Sequence, residues 1–163
     1  MDPGSYLRLS IIFNSVLVYC LPLFGGCDAY LKKQLQTLQN KAAQVVCNAP
    51  PRANRCLLLS RVKWLTVNQL AVYHTLIAVY KIRTSKEPEN LAALLSNETR
   101  ERRIRRSNAK LSLAMKSFTF RGASLWNDLP SHIRKSENFM FFKREVRNWV
   151  LENVTPFIDQ NVG

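Results

Sequence analysis

Five arginines, Arg100, Arg102, Arg103, Arg105 and Arg106, fall within seven consecutive positions, and Ile104 is the one apolar residue among them. Guanidinium groups at that density suit phosphate, which they pair with directionally. Five such pairs would make affinity fall steeply with salt. With no anion present the like charges repel, so the same segment also reads as a mobile linker. A second basic set lies upstream, where Lys32, Lys33 and Lys41 share a polar face with Gln36, Gln39, Asn40 and Gln44. Arg52 and Arg55 follow it, and Lys110 extends the arginine run. These eleven cations are the candidate nucleic-acid-binding residues.

Their surroundings sharpen the charge argument. The chain carries 24 Lys and Arg against 11 Asp and Glu, a net charge of +13. Residues 29–86 hold ten basic side chains and no acidic one, and residues 100–121 hold eight basic side chains with Glu101 alone opposing them. A field of one sign favours polyanions, nucleic acid first and an anionic membrane second. The plainer alternative is a solubilising surface, although such surfaces usually intersperse both signs.

Covalent and metal chemistry find little support. Asp2, Asp28, Asp128 and Asp159 stand apart from one another, with no paired carboxylates to hold two metal ions. There is no phosphate-cradling glycine loop and no G-x-S-x-G phrase. Cys20, Cys27, Cys47 and Cys56 form no C-x-x-C pair, and His74 and His132 lie far from them. That excludes a zinc site on spacing and leaves free, mostly buried thiols in a reducing compartment as the reading. No cofactor is implied.

The elements that must position the basic residues read as helices. Residues 5–21 form an apolar helix ended by Pro22 and the Gly25-Gly26 turn. Its run from Leu9 to Phe24 also invites a signal-peptide or membrane-anchor reading, but Asn14, Ser15 and Pro22 interrupt it. Asp28 is placed to cap a second helix. Along that helix Leu31, Leu35, Leu38, Ala42 and Val45 make one stripe, expected to face the core with the lysines and glutamines behind it. A short helix is expected near Cys56–Arg61. Thr66 and Gln69 then form a capping box for a helix from Val67 to Arg83, apolar on two sides and so expected at the centre. His74 on that helix reads as a hydrogen-bonded core residue. Glu87–Leu95 reads as another short helix. Leu111, Leu113 and Met115 alternate with polar residues as in an extended segment. Phe118–Leu129 reads as helix and turn, and Ser136 as the cap of a last helix carrying Phe139, Phe142, Val146, Trp149 and Val150 on one face.

The fold class expected is therefore all-α: two antiparallel N-terminal helices, a buried central helix, a basic linker and a C-terminal helical segment. Its parts would be residues 5–95, an Arg-rich linker over 96–110, and residues 111–155 packed back on the first part.

Three phrases carry a resemblance. "SLWNDLPSHIRKSENFMFFKREV" from Ser124 is similar to the closing motif of non-LTR (LINE, jockey-like) retrotransposon reverse transcriptases. "YCLPLFGGCDAYLKKQLQTLQNKAAQVV" from Tyr19 resembles the helix pair after the polymerase palm in that family. "KWLTVNQLAVYHTLIAVYKI" from Lys63 resembles the long helix beyond it. They occur in order between Tyr6 and Val154, and the Cys/His knuckle that ends some members is not found. The resemblance implies the region after the palm: a non-catalytic thumb and C-terminal portion, as a truncated copy or a stand-alone descendant. It would grip RNA or an RNA–DNA hybrid by the phosphates, with the parent palm as a possible protein partner and an intracellular setting, nucleus or cytoplasm. No membrane is expected. Two other classes compete, a helical protein-interaction module and a membrane-associated basic protein anchored by its N-terminal apolar run.

Overall fold

The computed structural model describes residues 15, 29–50, 52–95, 102–104 and 117–155. Seven helices are seen among them, and no strand: α1 (Ala29–Val46), α2 (Arg55–Arg61), α3 (Val67–Ser85), α4 (Glu89–Leu95), α5 (Phe118–Asp128), α6 (Ser131–Arg134) and α7 (Phe139–Asn153). The all-α class follows. Apart from Ser15, the expected helix over 5–21 lies outside the described residues, as do Asp28, the expected cap of the next helix, and the extended segment near Leu111.

α3 is the organising element. Its start is fixed by the expected capping box: the Thr66 hydroxyl accepts from the Gln69 N–H, and the Gln69 side chain accepts from the Thr66 N–H. It ends where Lys86 turns left-handed at φ 59° and donates its N–H to the Ile82 carbonyl. In between, α3 buries residues all round, among them Leu70, Leu76, Val79 and Tyr80. Such a helix keeps only a narrow solvent strip, at His74, Ala78 and Lys81, and becomes the axis of the core.

α5 and α7 close on it from the C-terminal part of the chain. Gly122 lets α5 approach α3 closely, for a Cβ there would lie 2.8 Å from Val79 Cγ2. α7 runs antiparallel to α3. The Tyr80 hydroxyl donates to the Glu137 carbonyl at one end, and Gln69 Nε2 donates to the Val154 carbonyl at the other. Phe142 is fully buried between them, stacked on Tyr80 with ring centroids 4.3 Å apart. The cap of α7 is Asn138, not Ser136. The Asn138 carboxamide oxygen accepts from the Met140 and Phe141 N–H groups, while the Ser136 hydroxyl donates to the Asn138 carbonyl.

α1 is rotated from the facing its pattern suggests, so that of the expected stripe Leu35 still packs on the core while three members point outward. Leu31, Leu38 and Val45 are 48%, 53% and 54% exposed, whereas Gln36, Gln39 and Ala43 are buried. The cause lies in the backbone entering α3. Gln36 Oε1 accepts from the Val67 N–H at 2.9 Å, and Gln39 Nε2 donates to the Leu65 carbonyl at 2.8 Å. A 2.9 Å bond from Gln36 Nε2 to Gln39 Oε1 ties the two amides together. An N–H in the first turn of a helix has no partner within that helix, and a buried one must find it elsewhere. Supplying those partners turns α1 so that its glutamines meet the core, with Leu35 of the expected stripe packed beside them. α2 packs beneath α1 in a satellite cluster of Ala43, Leu58 and Leu59. Its cap is Asn54, whose side-chain oxygen accepts from the Cys56 and Leu57 N–H groups.

Candidate nucleic-acid interface

Residues 102–104 of the arginine segment are held to the core by the Trp126–Arg134 phrase. Trp126 is 2% exposed and donates its indole Nε1–H to the Arg102 carbonyl at 2.8 Å. Asn127 accepts from the Ile104 N–H through Oδ1 at 2.8 Å and donates through Nδ2 to the Ile104 carbonyl at 2.8 Å. One carboxamide thus meets both backbone groups of Ile104, as a neighbouring strand would. Ile104 itself is 2% exposed, and Arg102 takes a left-handed φ of 57°. That conformation costs a non-glycine residue of order 1–3 kcal/mol and persists where its surroundings hold it. Here three hydrogen bonds do so. Within the segment that reads equally as a phosphate contact or a mobile linker, the described residues 102–104 form an anchored clip, because Ile104 supplies an apolar contact that the arginines do not.

Arg134 completes the device from below. Buried at 4% exposure, its Nη1 donates to the Asn127 and Leu129 carbonyls, which end α5 without helical partners. Arg83 stacks on the Trp126 ring at 4.4 Å to its centroid. Trp126, Asn127 and Arg134 are thus the positioning residues that a reading of cations alone passes over. The Trp-Asn-x-Leu-Pro spelling was the visible signal, but its partner in Arg102–Ile104 lies more than twenty residues away.

The eleven predicted cations divide. Lys33, Lys41, Arg52, Arg55 and Arg103 are exposed, and Lys32 and Arg102 are half-buried. Arg100, Arg105, Arg106 and Lys110 lie outside the described residues. Lys41 and Arg55 line one cleft of about 200 Å³ between α1 and α2, with Thr37, Asn40 and Gln44 supplying further polar groups. Arg102 sits elsewhere: its Nη1 reaches the Lys135 carbonyl at 3.4 Å and its Nη2 the Glu137 carboxylate at 3.6 Å. α1 joins the start of α3 at Val67, and Glu137 joins its last turns at Tyr80. Those α3 positions are about 20 Å apart along the helix axis. The basic residues therefore form two groups toward opposite ends of the central helix. Gln36 and Gln39, counted with the exposed donors of the lysine face, are withdrawn into the core.

His74 is half-buried with its ring edge against Tyr73, centroids 5.0 Å apart at 86°. It makes no hydrogen bond among the described residues, so ring packing replaces the expected polar partner. Burial, then Lys143, then Lys81, lower its pKa to about 4 from the ordinary 6.5. The unfolded chain thus takes up the proton at higher pH than the folded one. Stability is fully present above pH 6.5 and falls as pH drops through about 4. The expected loss is of order 2–3 kcal/mol after allowance for partial exposure. Urea midpoints at pH 7 and pH 4.5 check this, and His74→Gln is expected to remove that part of the decline.

Among the described residues no cluster of His, Cys, Asp or Glu has the arrangement of a metal site. Cys47 is half-buried and Cys56 exposed, both as free thiols, so Cys56 departs from the buried placement expected of it; its position in the first turn of α2 turns it outward. No described helix is long and apolar enough to cross a membrane. Comparison with protein-family models, curated proteins and solved structures finds no match to this chain.

Proposed function

We propose that this chain is a non-catalytic nucleic-acid-binding region of the kind that follows the palm in LINE-type reverse transcriptases, gripping RNA or an RNA–DNA hybrid by its phosphates. The observation that carries the reading is the clip. The phrase on which the family resemblance rests is also the one whose Trp126 and Asn127 hold Arg102–Ile104 against the core. Fixing the backbone lowers the entropic cost of aligning an arginine segment on a phosphate chain. The second basic group, Lys41 and Arg55 in their shared cleft, belongs to the α1–α2 side, which joins α3 at its start while the clip joins it near its end. Two separate basic groups suit an extended polyanion better than a small phosphorylated ligand.

Fluorescence titration with a 20-nucleotide single-stranded RNA from ~50 to ~200 mM salt tests the proposal. Five neutralised phosphates alone give a slope of log affinity against log salt of about −3.5, and each further contact steepens it by about 0.7. No binding at ~50 mM salt, or a flat slope, overturns it.

One observation favours a second reading, a protein-interaction module. Tyr30, Leu31, Leu38 and Val45 leave an apolar stripe of α1 exposed. On that reading the charge serves solubility, and neutralising Arg102 and Arg103 leaves RNA binding as it was. A palm domain is the protein partner the resemblance implies.

A further inference from the structure

A third set of cations belongs to neither group. α3 and α7 pack antiparallel, and along one edge of their seam stand Lys63, Lys81, Lys143 and Arg147. Two contacts fix the ends, Arg147 Nη2 donating to the Lys63 carbonyl at 2.9 Å and Lys81 Nζ lying 5.7 Å from the Phe139 ring centroid, and Lys143 stands one helical turn from both Phe139 and Arg147 on α7. Lys63, Lys81 and Lys143 are exposed and Arg147 is half-buried. Among the described residues none of the four pairs with a carboxylate. Glu145, on the same stretch of α7, bonds Arg144 Nε at 3.0 Å instead. His74 on α3 is held neutral by its burial and, secondarily, by the nearby Lys143 and Lys81.

Crowding like charges on one edge opposes folding, and a bound anion offsets that cost. The set is also long. Val67, where α3 begins just after Lys63, is about 21 Å from Lys81 along the helix axis. A single phosphate cannot bridge it, but a phosphodiester strand can.

We infer that the α3–α7 seam is a further phosphate-binding surface, in which Lys63, Lys81, Lys143 and Arg147 contact the backbone of a bound RNA strand. The inference rests on the proposed nucleic-acid function and extends it to residues outside the arginine run and the α1–α2 cleft. Sequence spacing alone does not reveal it, because the four cations come from two helices and a turn brought together by packing.

The test is the same single-stranded RNA titration on Lys81→Gln/Lys143→Gln/Arg147→Gln. Three lost phosphate contacts are expected to make the salt slope shallower by about 2, while Lys33→Gln/Lys41→Gln/Arg55→Gln serves as the comparison set. Lys143→Gln alone, at an exposed position, is expected to change the slope by about 0.7 and covers a triple variant that fails to fold. NMR titration of the His74 ring gives a second readout. Its pKa is expected to rise toward the ordinary value both in Lys143→Gln and when RNA binds the unaltered chain. An unchanged slope in the variants, with binding by the unaltered chain intact, overturns the seam and leaves the proposed function standing. Absence of any RNA binding by the unaltered chain overturns both.

Discussion

Trp126→Ala is expected to cost about 3–5 kcal/mol, the range for removing a large aromatic from a packed interior. The side chain is 2% exposed, lies 5.6 Å from Phe142 between ring centroids and carries Arg83 on its face. Its removal leaves a cavity at the meeting of α3, α5 and α7 and strips the Arg102 carbonyl of its indole donor. The second loss has its own signature. With the left-handed turn at Arg102 no longer held, trypsin should cut after Arg102 and Arg103 faster than in the parent chain. Trp126→Phe separates the two effects, for it keeps most of the volume but lacks the N–H. It is expected to cost about 1–2 kcal/mol, near the range of a hydrogen bond lost with its buried acceptor, and still to speed cleavage. Urea unfolding reads the stabilities as midpoint shifts at constant slope. A Trp126→Ala cost below about 1 kcal/mol would show that the indole is not a core anchor.

Gln36→Leu/Gln39→Leu is expected to destabilise by about 2–6 kcal/mol, although it extends the apolar character of α1. Pattern alone suggests the opposite sign, since leucine forms helices well and buries favourably. The structure reverses that. Leucines there leave the Val67 N–H and the Leu65 carbonyl buried without partners, each at about 1–3 kcal/mol. The two glutamines also bond one another, so the double change is expected to cost less than the two single changes added together. Equilibrium unfolding of the three variants measures both the sum and the coupling. A stabilised double variant would mean that α1 does not dock through its amides.

Much of the fold was legible in the sequence because its signals are local. The Thr66–Gln69 capping box and the two-sided apolar pattern of Val67–Ser85 placed the central helix to within two residues of its end. The stop at Asp128-Leu129-Pro130 placed the end of α5. α2 and α4 also lie where composition put them, within a residue or two. Each of these rests on residues within four or five positions of one another, where backbone geometry and capping chemistry act directly.

The facing of α1 was not legible, and the reason is physical. Helical periodicity reports which side is apolar, not which side a neighbouring backbone needs. Val67 N–H and Leu65 C=O are 31 and 26 residues from the amides that meet them, and only the packed chain brings them together. Orphaned buried backbone groups then outweigh an apolar stripe.

The sequence by itself determined an all-helical chain with a strong positive field, no paired carboxylates and an arginine run beside a tryptophan-bearing stop phrase. Tertiary structure alone decided what those features do to one another. It set the Trp126 indole and the Asn127 carboxamide on the backbone of residues 102–104, drew Lys41 and Arg55 into one cleft, and aligned Lys63, Lys81, Lys143 and Arg147 along one seam. Charge and capping are properties of single residues and short segments. A binding surface depends on the distances between segments, and those are set when the core closes around α3.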